Sequence, residues 1–165
     1  MRDYSKNFRR VFADEIYKRM SSDPKIWVVI GDLGYGFWDN VRRDFPERFV
    51  NVGAAEQSLV GVGVGLALQG KIPIVYSISS FLLYRSFETI RNYVNYEKIP
   101  VKLVGSGRDK DYEIDGMSHW STEDKEVMKI FRNINAYWPK EYTEIPTIVE
   151  KMMNEETPFY LNLKK

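Results

Sequence analysis

The chain reads as an α/β domain with an open, mostly parallel sheet flanked by helices, because strand and helix signals alternate from one end to the other. Two patterns carry that reading. Ile26-Trp27-Val28-Val29-Ile30 is a short continuous apolar run, the mark of a strand covered on both faces. Residues 7–20 place Phe8, Val11, Phe12, Ile16 and Met20 on one stripe, as an amphipathic helix does.

The elements follow in order. After the helix at 7–20 and the strand at 26–30, Gly31-Asp32-Leu33-Gly34-Tyr35-Gly36 breaks the chain into a loop. A short helix near 38–44 stops before Pro46, since the residue ahead of a proline avoids helical geometry. Phe49-Val50-Asn51-Val52 reads as the next strand, and 55–69 as a helix in spite of Gly61, Gly63 and Gly65. The three glycines lack the G-x-G-x-x-G spacing of a nucleotide loop; small residues that let a helix pack closely explain them better. A strand at 72–78, a long helix at 82–96 and a buried strand at 101–104 come next. The polar stretch 105–121 is the longest irregular segment and therefore a natural place for function. A helix near 122–130, a strand near 133–137, a helix at 141–154 and a strand at 159–163 complete the pattern. No internal repeat or linker interrupts it, so residues 1–165 are expected to form one domain.

Composition narrows the function. Apolar residues make up 44% and charged residues 28% of the 165, ordinary for a globular protein. With 24 basic against 23 acidic side chains, no electrostatic footprint for nucleic acid or anionic lipid is present. Residues 1–6 carry no apolar signal segment, and no stretch approaches the roughly 20 apolar residues needed to span a bilayer. The chain has no cysteine, which rules out disulfides and thiolate metal sites and fits a cytoplasmic location. Aromatics reach 15%, a surplus that suits either an aromatic core or a protein interface.

Glu56 opens the helix at 55–69, just after a strand, at the edge of an α/β sheet where ligands bind. An acidic residue there also suits the positive helix end, so position alone does not separate the two roles. Phe81, Tyr84 and Phe87 are spaced i, i+3, i+6 and should fall along one side of a helical start, either as core packing or as a platform for a flat ring. His119 is the only histidine.

The surrounding motifs resemble one family throughout the chain. Asn51-Val-Gly-Ala-Ala-Glu56-Gln-Ser-Leu-Val-Gly-Val-Gly-Val-Gly-Leu-Ala67 is similar to the segment around the catalytic glutamate of transketolases and deoxyxylulose-phosphate synthases. Gly31-Asp32-Leu33-Gly34 resembles the family's Asp-containing turn after its first strand. Ser79-Ser-Phe81-Leu-Leu-Tyr84-Arg-Ser-Phe87-Glu-Thr-Ile-Arg91 resembles its aromatic pyrimidine pocket, with Tyr84 in place of a common phenylalanine. Asp115-Gly-Met-Ser-His119 parallels an Asp-Gly-Pro-Thr-His motif beside the substrate, and Thr157–Leu163 resembles the strand that closes the pyrimidine-binding domain.

The resemblance implies a thiamine diphosphate pyrimidine-binding domain. Glu56 would meet pyrimidine N1′ and promote the imino tautomer of the cofactor. Apolar surroundings would help it share a proton there. Asp32, Phe81, Tyr84 and Phe87 would contact the cofactor. His119 would polarise a donor carbonyl or transfer a proton, and Asp115 would hold a substrate hydroxyl or only form the turn with Gly116. Arg9 and Arg10 lie where some relatives hold a substrate phosphate, with solvated charge as the alternative.

In the family a separate domain binds Mg²⁺ and the diphosphate through a Gly-Asp-Gly run and a later Asn. No such run occurs here. The implied molecule is the small subunit of a split enzyme, without the diphosphate-binding domain or the third, C-terminal domain. It would pair with a larger subunit, most simply as an α2β2 heterotetramer, and expose an apolar, aromatic-rich face. The reaction implied is transfer of a two-carbon ketol or acyl unit from a keto donor to an aldehyde or ketone acceptor. A 2-oxo acid decarboxylase or acyloin synthase subunit, or a non-catalytic assembly module, is the alternative.

Overall fold

The computed structural model describes residues 7–165; residues 1–6, read above for the absence of a signal segment, lie outside them. Helix α1 (Phe8–Met20) starts where the Asn7 side chain accepts the amides of Arg9 and Arg10 at 3.0 and 3.1 Å. Two donors that a helix start leaves without partners are thereby met. Strand β1 (Ile26–Ile30) leads through helix α2 (Asp39–Asp44) to β2 (Phe49–Asn51), and α3 (Glu56–Leu68) to β3 (Ile72–Ile78). A helical segment, α4 (81–96), precedes β4 (Lys102–Ser106). Helix α5 (Asp124–Ile130), β5 (Asn135–Tyr137), α6 (Ile145–Asn154) and β6 (Phe159–Leu163) follow.

The six strands pair in the order β2-β1-β3-β4-β6-β5, every pair parallel. Both faces are covered. Val28, Ile30, Ile74, Tyr76, Val104, Leu161 and Leu163 pack toward α1, α2 and α6 with Phe12, Ile16, Trp38, Ile145 and Val149. The alternate residues Val29, Val75, Leu103 and Tyr160 pack the other way, with Leu59, Val60 and Val64 of α3, Leu82 and Ile90 of α4 and Met128 of α5. Side chains that alternate along a strand thus meet an apolar layer on either side, and this gives the strands their continuous apolar runs.

Several boundaries differ from the sequence reading, each for a local reason. The fifth strand begins at Asn135 because Asn133 is tied to Asn95 through its amide nitrogen and its side chain, both at 3.0 Å. The helix expected near 122 begins at Asp124, since Ser121 pairs with Asp109 in an isolated bridge. The helix expected at 141 opens with a 3-10 turn, Tyr142–Glu144, locked by reciprocal bonds between Glu141 and Glu144. Most consequentially, α4 is not a regular helix. Wide π turns over Phe81–Arg85 and Ile90–Tyr96 flank one α turn, Phe87–Thr89. Such turns are rare and concentrate at functional sites.

Only one of the three glycines in α3 makes a close approach. A Cβ on Gly63 would lie 2.5 Å from Val75 Cγ2 and 3.3 Å from Val101 Cγ1, whereas Gly61 and Gly65 face open space.

Candidate functional site

In a parallel sheet the loops that follow the strands gather at one edge, and ligands bind where the connections diverge. Here the chain leaves β1 for β2 on one side and later returns to β3 on the other. The loop 31–38, the start of α3, the start of α4 and the loop 107–123 all open on that edge.

Glu56 is the first residue of α3 and only 3% exposed. Ala55 before it offers no side-chain cap, so the carboxylate stands alone at the positive end of the helix. A buried carboxylate needs a partner to offset lost hydration. Arg85 supplies it, with Nη1 3.0 Å from Oε2. The surroundings of Glu56 are therefore not the purely apolar ones expected. Arg85 itself remains 48% exposed. Its guanidinium carbon also lies 3.6 Å from the centre of the Phe81 ring, within cation–π range.

The Phe81 ring meets His119 as well, with centroids 4.7 Å apart and planes at 60°. Tyr112 lies beyond His119, at 6.1 Å. Ser118 Oγ sits 3.0 Å from His119 Nδ1, and the Ser80 hydroxyl donates to the Ser118 carbonyl at 2.8 Å. Glu56, Arg85, Phe81 and His119 thus form one continuous row, built from α3, the first turn of α4 and the loop after β4.

The remaining residues singled out in the sequence are spread around that row. The single stripe of Phe81, Tyr84 and Phe87 does not form, because each residue of the wide turn rotates less and the residue three on stops well short of a full turn round the axis. Tyr84 instead donates to Glu123 Oε2 at 3.1 Å, and partial burial, with that hydrogen bond second, raises its phenol well above the ordinary range. Phe87 packs on Phe131, centroids 5.0 Å apart, against the core. Asp32 adopts a left-handed backbone (φ 55°), accepts from Tyr35 and from Asn51 Nδ2, and donates its amide to Asn51 Oδ1. Those hydrogen bonds, Tyr35 first, hold its carboxyl below the usual range. Asp115 ends a 3-10 turn, Glu113–Asp115, and is exposed beside Gly116, whose φ of 82° suits glycine. Arg9 reaches Tyr112 OH at 3.4 Å and lies over Phe37, as does Arg10.

Large apolar side chains are exposed in the same loops: Tyr35, Ile114 and Met117. Among the described residues, no group of three or more histidine or acidic side chains is placed to hold a metal ion. No helix among them is long and apolar enough to cross a membrane.

Sequence reasoning missed two features. Arg85 stands inside the aromatic motif with no role attached to it; its spacing of four from Phe81 on a helix was the available signal. The other is a buried polar network under the loop 107–123. Asp124, 2% exposed, accepts at Oδ2 from Trp138 Nε1 (2.7 Å), Asn162 Nδ2 (2.8 Å) and Tyr160 OH (3.1 Å). Asn162 also donates to Ser79 Oγ at 3.1 Å, and Ser79 and Ser121 both donate to the Gly107 carbonyl. Arg108 spans the loop base, donating to the carbonyls of Asn162 and Pro139 at 2.6 and 2.8 Å. The network joins the residue that begins the approach to Phe81 with both ends of the loop that bears His119. A polar Asn within the apolar run of β6 was its only sequence trace.

Comparisons with known proteins bear on the fold and the family. Residues 5–165 match the family model described as transketolase, pyrimidine binding domain. A protein of Methanocaldococcus jannaschii named as a transketolase C-terminal section is 35% identical over 74% of this chain and 39% of its own length. One of the subunits of an apulose-4-phosphate transketolase from Actinobacillus succinogenes is 38% identical over 73% of this chain and 39% of its own. A solved structure described as a split gene transketolase, inactive beta4 tetramer, superposes with a TM-score of 0.84 at 32% identity, covering 97% of this chain and 51% of that one. The chain spans about half the length of these relatives or less. On fold, on the family model and on relatives above 30% identity, the chain belongs to the transketolase pyrimidine-binding domain family.

Proposed function

We propose that this chain is the pyrimidine-holding half of a thiamine diphosphate-dependent, transketolase-like transferase, acting with a larger subunit that holds Mg²⁺ and the diphosphate. The observation that carries the proposal is Glu56, a carboxylate buried at the carboxyl edge of the sheet beside the Phe81 face. Relatives named as one subunit of a transketolase and as a split gene transketolase favour the two-subunit arrangement.

The donor set suits an aminopyrimidine. Glu56 would take the N1′ edge and Phe81 one ring face, with Asp32 and Tyr84 at the margins. Phe87 would act through the packing of α4 on Phe131. When bound, thiamine diphosphate supplies the carbanion chemistry at its thiazolium carbon.

The protein's part is proton placement. Glu56 holds a proton at N1′, shielded from water by its burial. His119, with Nδ1 beside Ser118 Oγ, keeps Nε2 for the substrate. There it donates to, or takes a proton from, the oxygen of a keto donor or of an aldehyde or ketone acceptor. Asp115 on its exposed turn would receive a substrate hydroxyl. Exposed Tyr35, Ile114 and Met117 would be covered by the larger subunit, two of each chain making the assembly.

The test is Glu56→Gln in the complex purified with its larger subunit from the native host. Turnover should fall by about 10²-fold or more, with the far-UV circular dichroism unchanged. Turnover within a few-fold of wild type would refute the assigned role.

A further inference from the structure

We infer that Arg85 is a built-in occupant of the pyrimidine seat, held there in the free chain and expelled when the cofactor arrives. The inference rests on the proposed roles of Glu56 and Phe81. It adds a function for a residue to which the motif reading attached none.

Occupant and ligand are chemically alike. An aminopyrimidine protonated at N1′ is a cyclic amidinium: planar, cationic and edged with N–H donors. A guanidinium is planar, cationic and edged with N–H donors too, and it stacks readily on aromatic faces. Arg85 makes both contacts that the proposed ligand would make. Nη1 donates to Glu56 Oε2 at 3.0 Å, and the guanidinium carbon covers the Phe81 ring at 3.6 Å. A seat defined by one buried carboxylate and one ring face is already filled by a group of matching shape and charge.

The occupant can also leave. Glu56 is 3% exposed, but the Arg85 side chain is 48% exposed and has no other hydrogen-bond partner among the described residues. Its flexible stem allows the head to swing into water without moving the backbone. The wide turn Phe81–Arg85 presents the side chain over the ring to begin with.

Glu56 in turn requires a cation. A carboxylate this buried without a partner is costly, so the free chain needs a positive group there. Exchanging guanidinium for pyrimidinium conserves the charge, the stacking and the hydrogen bond. Arg85 therefore stabilises the empty subunit and competes with the ligand in one arrangement. A seat filled by its own side chain about nine-tenths of the time weakens apparent affinity about tenfold.

Binding of thiamine's pyrimidine fragment, 4-amino-5-hydroxymethyl-2-methylpyrimidine, to the isolated full chain tests this. Wild type, Arg85→Ala and Arg85→Ala/Glu56→Gln would be compared by ligand-observed NMR. Arg85→Gln replaces the alanine variant if the latter does not fold. Arg85→Ala should bind about tenfold more tightly than wild type, and adding Glu56→Gln should abolish the gain. Equal or weaker binding by Arg85→Ala, or no binding by it at all, overturns the occupant role. Where Arg85→Ala still binds and the double variant binds more weakly than it, the role of Glu56 stands by itself. Tightening that survives Glu56→Gln would keep Arg85 as an obstacle while contradicting the exchange of partners on Glu56 and the proposed function with it.

Discussion

Replacing Asp124 with alanine removes an acceptor that three buried donors share, and the structure allows the cost to be worked out. Trp138 Nε1, Asn162 Nδ2 and Tyr160 OH all donate to Oδ2. A buried donor left unmatched costs about 1–3 kcal/mol. Asn162 keeps its bonds to Ser79 and to the Gly107 carbonyl, so the penalty falls mainly on Trp138 and Tyr160. Relief of a buried charge offsets part of it, since burial pushes the Asp124 carboxyl above its ordinary range. A net loss of about 3 kcal/mol is expected, or about 6–12 °C in Tm for a domain of this size.

Asparagine at the same position separates the acceptor from the charge. Its carbonyl oxygen can take the place of Oδ2 and keep all three bonds, so Asp124→Asn should stay within about 1 kcal/mol of wild type. Only the wild-type group titrates. Because its folded value is raised, the native state holds the proton more tightly than the unfolded chain does. Wild type should therefore be best placed relative to Asp124→Asn at acid pH, and lose ground as pH rises from 3.8 through the folded value. Urea unfolding followed by tryptophan fluorescence, at pH 4 and pH 7, reads both effects. An alanine variant within about 0.5 kcal/mol of wild type, or an asparagine variant as damaged as the alanine one, would refute the reasoning.

Two further predictions concern stability. Lys102 is buried, donates to the carbonyls of Glu155 and Thr157 at 2.7 Å each, and is pushed down from 10.5 to about 8 by desolvation. The folded state favours the neutral amine, so wild type should gain on Lys102→Met as pH rises from about 8 to 10.5, by up to about 3 kcal/mol; a flat difference in urea midpoints would sink this. For the glycines of α3, Gly61→Ala and Gly65→Ala should stabilise by about 0.5–1 kcal/mol, because their faces are open. Gly63→Ala must push against Val75 and should cost about 1–3 kcal/mol, and thermal melts that rank all three alike would contradict the packing.

The fold was largely legible because burial on both faces writes itself into sequence. Val28 and Ile30 serve one apolar layer and Val29 the other, so the strand is apolar throughout. What resisted reading depends on contacts between distant segments. The wide turns of α4 are not a local preference of Phe81-Leu-Leu-Tyr-Arg85, and they undid the expected alignment of Phe81, Tyr84 and Phe87. Arg85 stands in the sequence without a role, and only its meeting with Glu56, 29 residues earlier, gives it one. The same holds for Asp124 and Asn162, which are 38 residues apart and meaningless singly. Glu56, Phe81 and His119 were singled out by their motifs, and the structure sets Phe81 within reach of the other two through Arg85 and a ring contact.

The solitary histidine has a practical consequence. His119 lies against the Phe81 ring, with Tyr112 farther out, and no second imidazole exists in the chain. The circulating electrons of Phe81 must displace the two carbon-bound proton resonances of that imidazole from their usual frequencies. Since no other residue contributes signals of that kind, the region around the site carries its own spectroscopic beacon. Anything that turns the Phe81 ring, whether a ligand, a partner chain or a departing arginine, would be reported there without a label.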